Sequence, residues 1–172
     1  RLHEDWERCA AGSLASQGPD SDFGWARQWP PSDAVAQEVG ARYRKLFRDG
    51  YEYGPVFQAV QVVWRRGDEI FAEIAASPEQ DGFSIHPAVL DATLQPAVLA
   101  GDSGELVLPF VFRGVRLAAT GVSALRVRLV ASGDDFTVEA ADNAGRPVAA
   151  VTSLRVRKAS AEALRARSGE QP

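Results

Sequence analysis

The 172 residues suffice for one ordinary domain and are too few for two large ones, and 45% hydrophobic with 24% charged residues is the profile of a soluble globular chain. A net charge of −4 argues against a general nucleic-acid binder, which needs a basic stripe, and suits a cytoplasmic protein that handles neutral or acidic ligands. Cys9 alone excludes an internal disulfide framework, one Cys with His3 and His86 falls short of a structural zinc site, no apolar run is long enough to span a bilayer, and residues 1–12 lack the apolar core of a signal peptide.

In chain order, the first expected element is a strand-like piece over residues 6–14. Residues 16–22 then read as a loop, rich in turn formers and without periodicity. Trp25 and Trp29, followed by Pro30-Pro31, are expected to anchor this linker to the body of the domain. Ser32 or Asp33 is placed to cap a helix running to Arg48. Within it Tyr43, Leu46 and Phe47 fall at i, i+3 and i+4, on one face, and Gly50 stands where a C-terminal cap is needed. A turn over residues 50–55 leads into a strand over 57–65. Arg66-Gly67-Asp68 supplies hairpin chemistry before a second strand over 69–75, and a loop follows over 77–82. Residues 87–100 form the clearest helix, apolar on nearly every side through Val89, Leu90, Ala92, Leu94, Ala97, Val98 and Leu99, which places it in a core. Pro96 removes a backbone donor and should kink or loosen it. Four strands follow, over 106–117, 125–131, 136–140 and 148–157. In the last three, apolar residues alternate with Arg126 and Arg128, Thr137 and Glu139, and Arg155 and Arg157, as in strands with one buried face. These arginines read as solvated strand faces, or, more weakly, as contacts for an acidic carrier protein. Asp142-Asn143-Ala144-Gly145 is a turn, and the polar tail from Ser160 is frayed or helical. The sum is an α+β fold: an antiparallel sheet of about five to seven strands with one buried helix lying against it.

One charge stands inside the apolar helix, in His86-Pro87-Ala88-Val89-Leu90-Asp91-Ala92-Thr93-Leu94-Gln95. Asp is rare among Val, Leu and Ala unless paired or functional. Gln95 lies one helical turn on, on the same face, where its amide can fix the Asp91 rotamer. Burial disfavours an ionised carboxyl, and a neutral carboxylic acid near neutral pH is what a general acid requires. The structural alternative is an Asp91 that bonds a loop amide, and His86 beside Pro87 needs no chemistry at a helix start. In Gly50-Tyr51-Glu52-Tyr53-Gly54-Pro55-Val56-Phe57-Gln58 the Tyr53 hydroxyl could donate to a substrate oxygen, or the turn is simply packed aromatics. Leu108-Pro109-Phe110 puts Pro in a strand, which implies an edge or a bulge, and bulges often lie beside active sites. No nucleophile elbow, P-loop or dinucleotide fingerprint occurs.

Together, Gly50-Tyr51-x-Tyr53-Gly54-Pro55-x-Phe57-Gln58, His86-Pro87-Ala88-x-Leu90-Asp91-Ala92-x-x-Gln95 and Leu108-Pro109-Phe110 stand in an order and spacing that resembles the dehydratase domains of modular type I polyketide synthases. Trp64-Arg65-Arg66-Gly67-Asp68, Ala72-Glu73 and Gly145-Arg146-Pro147-Val148 look like the same family. The resemblance implies a double hotdog, each half an antiparallel sheet wrapped around a central helix. One half supplies a catalytic His in a His-x-x-x-Gly-x-x-x-x-Pro motif and the other supplies the Asp. That His motif is absent from this sequence, which also has no methionine. The chain is therefore read as cut from a longer polypeptide: residues 1–15 as the last strand of the N-terminal hotdog, 16–32 as linker, 33–159 as the C-terminal hotdog and 160–172 as a flexible tail.

The implied reaction is elimination of water from a 3-hydroxyacyl thioester in polyketide or antibiotic biosynthesis. The His of the missing half removes the α-proton and Asp91 protonates the departing hydroxyl. Gln95 orients Asp91, and Tyr53 donates a hydrogen bond at the tunnel. Gly54, Pro55, Val56, Phe57, Leu108, Pro109 and Phe110 line the substrate path. No metal or redox cofactor is implied, because no electrons are transferred. The substrate arrives on the phosphopantetheine arm of an acyl carrier protein. The implied partners are that carrier, the neighbouring synthase domains, the missing N-terminal hotdog and a second copy in a homodimer. Other outcomes on the same scaffold are a double-bond isomerase, a pyran-forming cyclase or a non-catalytic structural module; Asp91 and Gln95 occurring together favours an enzyme.

Overall fold

In the computed structural model, which describes residues 8, 10–16, 22–48, 52–75, 83, 85–99, 107–133 and 135–158, the alternating segments pair into one antiparallel sheet of seven strands. These are β1 (Val35–Gln37), β2 (Val60–Arg66), β3 (Glu69–Ala75), β4 (Val107–Leu117), β5 (Ala124–Ser132), β6 (Asp135–Ala141) and β7 (Pro147–Lys158). Helix α1 (Val39–Arg48) lies between β1 and β2, and α2 (Pro87–Leu99) between β3 and β4. Across the sheet the order is β1-β2-β3-β5-β6-β7-β4, so β1 and β4 are the edges.

The period-2 pattern decides which face is buried. Ile70, Ala72 and Ile74 of β3 and Leu125, Val127 and Leu129 of β5 join Val63, Val138, Val151 and Leu154 in one core, which receives Val89, Ala92 and Leu99 of α2. Each large apolar side chain taken out of water contributes roughly 1.5–3 kcal/mol, and α2 spends its apolar surface against β2, β3, β5 and β6. This is the helix-on-sheet arrangement expected of a hotdog. The β2–β3 hairpin turns through Gly67-Asp68, with Gly67 at φ 57°, a conformation that costs a side chain strain. Pro109 stands on the edge strand β4, where a residue without an N–H is tolerated, and the β4–β7 register shifts between Pro109 and Val111.

The opposite face of the sheet is covered by the linker. Phe71 alternates out of the core of β3 and is nonetheless fully buried, because Trp25 and Trp29 stack over it with ring centroids 6.1 and 6.2 Å away. Trp29 also packs edge-on to Trp64 at 5.3 Å and donates its indole N–H to Glu73. The expected tryptophan anchor is therefore present. Arg126 and Arg128 are not plain solvated side chains. Both are half-buried: Arg126 donates to the Ala26 carbonyl at 2.8 Å and lies over the Trp29 ring, and Arg128 bridges Glu69 at 2.5 Å and Glu139 at 3.3 Å. Burial pushes the Glu69 carboxyl up, but its hydrogen bonds from Arg128 and Arg66 outweigh this and hold it below its ordinary range.

Several expected elements differ. Residues 8 and 10–14 form no strand and are exposed, since a strand needs a neighbour for its N–H and C=O groups and none among the described residues pairs with them; the rest of that segment lies outside the described residues, as do Gly50, the 77–82 loop and the tail from Ser160. The helix expected from Ser32 or Asp33 starts only at Val39: residues 35–37 are drawn into β1 by pairing with Val63, Trp64 and Arg65, and the Glu38 carboxylate accepts from the Ala41 N–H at 3.2 Å at the helix start. Leu46 is buried and Tyr43 half-buried, but Phe47 is 64% exposed, so the buried stripe of α1 is narrower than its spacing suggests. Phe57 belongs to a 3-10 turn (Pro55–Phe57) and not to β2. Helix α2 continues through Pro96, whose ring is buried.

Gly114, on β4, is held at φ 59°, and a Cβ there falls 2.2 Å from Thr152 Oγ1, which itself donates to the Arg113 carbonyl at 3.0 Å. Gly114→Ala is expected to cost roughly 2–4 kcal/mol, from backbone strain plus overpacking. A urea titration of the variant beside the parent measures it, and an unchanged midpoint would show that β4 yields at no cost.

Candidate active site

The site is built on the first turns of α2. Pro87 occupies the first helical position, where its missing N–H is no loss. His86 caps the helix: its carbonyl accepts from the Val89 N–H at 2.9 Å and its Nδ1 accepts from the Ala88 N–H at 3.2 Å. An Nδ1 used as acceptor leaves the neutral ring's proton on Nε2. The Phe83 ring packs edge-on to the imidazole at 5.3 Å.

One turn on, Gln95 is 1% exposed and its amide is fully engaged. Its Nε2 donates to Asp91 Oδ2 at 2.7 Å and to the Phe57 carbonyl at 2.8 Å, and its Oε1 accepts from the Tyr43 hydroxyl at 2.5 Å. The Val60 N–H points at the same hydroxyl at 3.4 Å. Burial pushes the Tyr43 phenol up to about 12, with the Val60 hydrogen bond opposing and the Asp91 charge adding to it. Tyr43 is thus a protonated donor at any working pH. Asp91 itself is only half-buried on the described residues, less enclosed than the apolar sequence around it suggests. Its Oδ1 has no protein hydrogen-bond partner among the described residues.

The other site candidates divide. Tyr53 is near: its ring meets the Tyr43 ring edge-on at 6.1 Å, and its carbonyl accepts from Gln58 at 2.8 Å. Gly54 and Pro55 shape the 3-10 turn, in which the Phe57 N–H donates to the Gly54 carbonyl at 2.9 Å. That turn presents the Phe57 carbonyl to Gln95 and leaves the side chains of Val56 and Phe57 exposed. Leu108, Pro109 and Phe110 stand on edge strand β4, at the opposite end of the strand order from β1 and β2, exposed, with the Arg157 guanidinium 3.7 Å over the Phe110 ring. Tyr43, which the sequence motifs do not single out, joins the cluster through its hydroxyl. Its place on the inner face of α1 was visible in the sequence, but the contact with a residue 52 positions later was not. A separate cavity of about 370 Å³, bounded by Gln61, Glu73, Arg126 and Asn143, shares no residue with this cluster.

Chemically, the arrangement holds a carboxyl group with one oxygen tied to an amide donor and the other open. Among the described residues no group of three or more His, Cys, Asp or Glu side chains could hold a metal ion, and no helix is long and apolar enough to cross a membrane.

The family model described as polyketide synthase dehydratase N-terminal domain matches residues 25–166. The chain is 45% identical over 174 residues to polyketide synthase GfsE of Streptomyces halstedii, covering 95% of this chain and 5% of that protein. It is 45% identical over 149 residues to mycoketide-CoA synthase of Mycobacterium tuberculosis, covering 84% and 4%. Among solved structures, the dehydratase domain from the terminal module of the rifamycin polyketide synthase superposes with a TM-score of 0.71 at 38% identity, over 87% of this chain and 53% of that one. The erythromycin dehydratase does so with a TM-score of 0.70 at 38% identity, over 86% and 52%. The chain therefore spans a small part of the synthases it matches and about half of each solved dehydratase.

Proposed function

The chain belongs to the polyketide synthase dehydratase family, and from that premise we propose that it supplies the acid half of a dehydratase acting within a multidomain synthase. The reaction is elimination of water from a 3-hydroxyacyl thioester. A base removes the α-proton, the electron pair forms the α,β double bond, the carbon–oxygen bond breaks, and the hydroxyl leaves as water with the proton of Asp91. The observation that carries this reading is the 2.7 Å bond from the buried Gln95 amide to Asp91 Oδ2, which leaves Oδ1 to hold and deliver a proton. Tyr53 is proposed as a hydrogen-bond donor at the substrate tunnel, with Gly54, Pro55, Val56, Phe57, Leu108, Pro109 and Phe110 along the acyl path.

The family description names an N-terminal domain. We place the chain in the C-terminal hotdog because Asp91 and Gln95 stand on its central helix and the His-x-x-x-Gly-x-x-x-x-Pro motif is absent from its sequence. About half of each solved dehydratase chain is left for the hotdog that would bring the base. The substrate is proposed to arrive on the phosphopantetheine of an acyl carrier protein, in the cytoplasm, with the neighbouring synthase domains and the N-terminal hotdog as partners.

The test is direct. The complete domain containing this chain, given a 3-hydroxyacyl thioester on a carrier protein, is expected to release a product lighter by one water and bearing a conjugated enoyl thioester. Mass spectrometry and ultraviolet absorbance read both changes. Unaltered substrate would favour a structural module, and a shifted double bond or a closed ring would favour the isomerase or cyclase outcome.

A further inference from the structure

Tyr43 stands where α1 meets α2 and β2. Its hydroxyl donates to Gln95 Oε1 at 2.5 Å and faces the Val60 N–H at 3.4 Å. We propose that Tyr43 is a positioning residue for the acid: it fixes the orientation of the Gln95 amide and, through it, which oxygen of Asp91 carries the transferable proton. The inference rests on the general-acid reading of Asp91.

A glutamine amide has two orientations related by a half-turn about its last torsion. In the one present here, the NH₂ group donates to Asp91 Oδ2 and to the Phe57 carbonyl, while Oε1 faces the phenol. The flipped amide would set its oxygen against the Phe57 carbonyl and the Asp91 carboxyl. The two orientations have different chemical consequences. An amide N–H bonds the carbonyl-type oxygen of a carboxylic acid better than its hydroxyl oxygen, so the Gln95 donor on Oδ2 favours Oδ1 as the seat of the proton of a neutral Asp91. A flipped amide oxygen would instead accept that proton from Oδ2, and the acid would donate to its own neighbour. With Gln95 1% exposed, bulk water is in no position to arbitrate between the two. The choice falls to the Phe57 carbonyl, which needs a donor, and to the Tyr43 hydroxyl, which supplies one. Hydrogen bonds in series also strengthen one another, so a donor on Oε1 makes the amide N–H a better donor to Asp91.

On the elements packed around the pair, α1 carries Tyr43, Arg42 and the exposed Arg44, Lys45 and Arg48, while Tyr53 stands ahead of the 3-10 turn and His86 at the start of α2. The charged residues of the sheet have partners of their own: Arg65 donates to the Gly67 carbonyl, Arg66 and Arg128 pair with Glu69, Arg128 also with Glu139, Glu73 receives the Trp29 indole, Arg126 donates to the Ala26 carbonyl, and Asp135 pairs with Arg155. Arg42 reaches the Leu99 carbonyl at the far end of α2, and His86 is engaged at the cap.

The experiment uses the complete dehydratase domain. Tyr43→Phe keeps the ring and its contact with Tyr53. It is expected to lower kcat about ten-fold, the scale of one buried hydrogen bond to a polar partner, with KM little changed. The alkaline limb of the rate profile is expected to move to higher pH. Losing the amide donor and gaining a flipped amide acceptor both favour the neutral acid, so the sign is the same by either route. Fluorotyrosine at position 43, a stronger donor of the same shape, is expected to move that limb the other way, and it decides the matter if Tyr43→Phe does not fold. In a Gln95→Leu background Tyr43→Phe is expected to add no further loss, because it acts through Gln95. Additive losses, or an unmoved limb with full kcat, would overturn the inference. Asp91→Asn is run alongside: if it stays active the general-acid reading fails, and if it is inactive while Tyr43→Phe behaves as the parent, only the positioning role fails.

Discussion

Asp91→Asn in the complete two-hotdog domain is expected to lower dehydration of a 3-hydroxyacyl thioester by about 10²–10⁴-fold, the usual contribution of a general acid. Asparagine has nearly the same shape, and its side-chain oxygen can still accept from the Gln95 amide, so the 2.7 Å link along α2 and the Phe57 anchor survive in kind. What is lost is the transferable proton, because an amide does not surrender one to a departing hydroxyl. Substrate affinity and melting temperature are therefore expected to change little while turnover collapses. Single-turnover mass spectrometry beside a thermal melt separates these effects. Near-normal turnover would refute the general-acid role, and a collapsed fold would show Asp91 to be structural.

The 172-residue chain on its own is expected to give no measurable dehydration and to self-associate. The elimination needs a base opposite the acid, and the His86 Nδ1 is occupied by the Ala88 N–H at the α2 cap. Loss of a general base costs about 10²–10⁴-fold. The association follows from β4, the last strand in the sheet order, on which Leu108, Phe110, Phe112, Val115 and Leu117 are all exposed among the described residues. Apolar residues on an open strand edge are a template for another chain. Sedimentation velocity over a concentration series, with the turnover assay on the same samples, tests both parts. Robust turnover by a monomer would mean that a residue within this chain acts as the base.

Much of the fold was legible because its signal is local. The alternation of Leu125, Val127 and Leu129 against arginines sets a buried face whatever the partner, and Gly67 marks its hairpin through a backbone conformation most side chains resist. Pro109 had to stand on an edge or at a bulge, and it stands at both. The pairing of Asp91 with Gln95 is also local, one helical turn apart. Residues 35–37 show the opposite case. Nothing within Val-Ala-Gln distinguishes a helix start from a strand, and it is the open edge of β2 that makes them β1.

What the sequence by itself determined, then, is every feature whose cause lies within a few residues: the strand alternation, the apolar α2, its capped start at His86-Pro87, and a carboxyl and an amide on one helical face. What only the tertiary structure decided are the contacts between segments far apart in the chain. Arg126 and Arg128 leave solvent because the linker and the glutamates of neighbouring strands meet them. Tyr43 changes from one more aromatic on a helix to the donor on Gln95 because the core brings α1 onto α2 across 52 residues of chain. Periodicity tells a side chain which way to face; which polar atom waits there depends on how the elements pack, and packing is a property of the whole sheet.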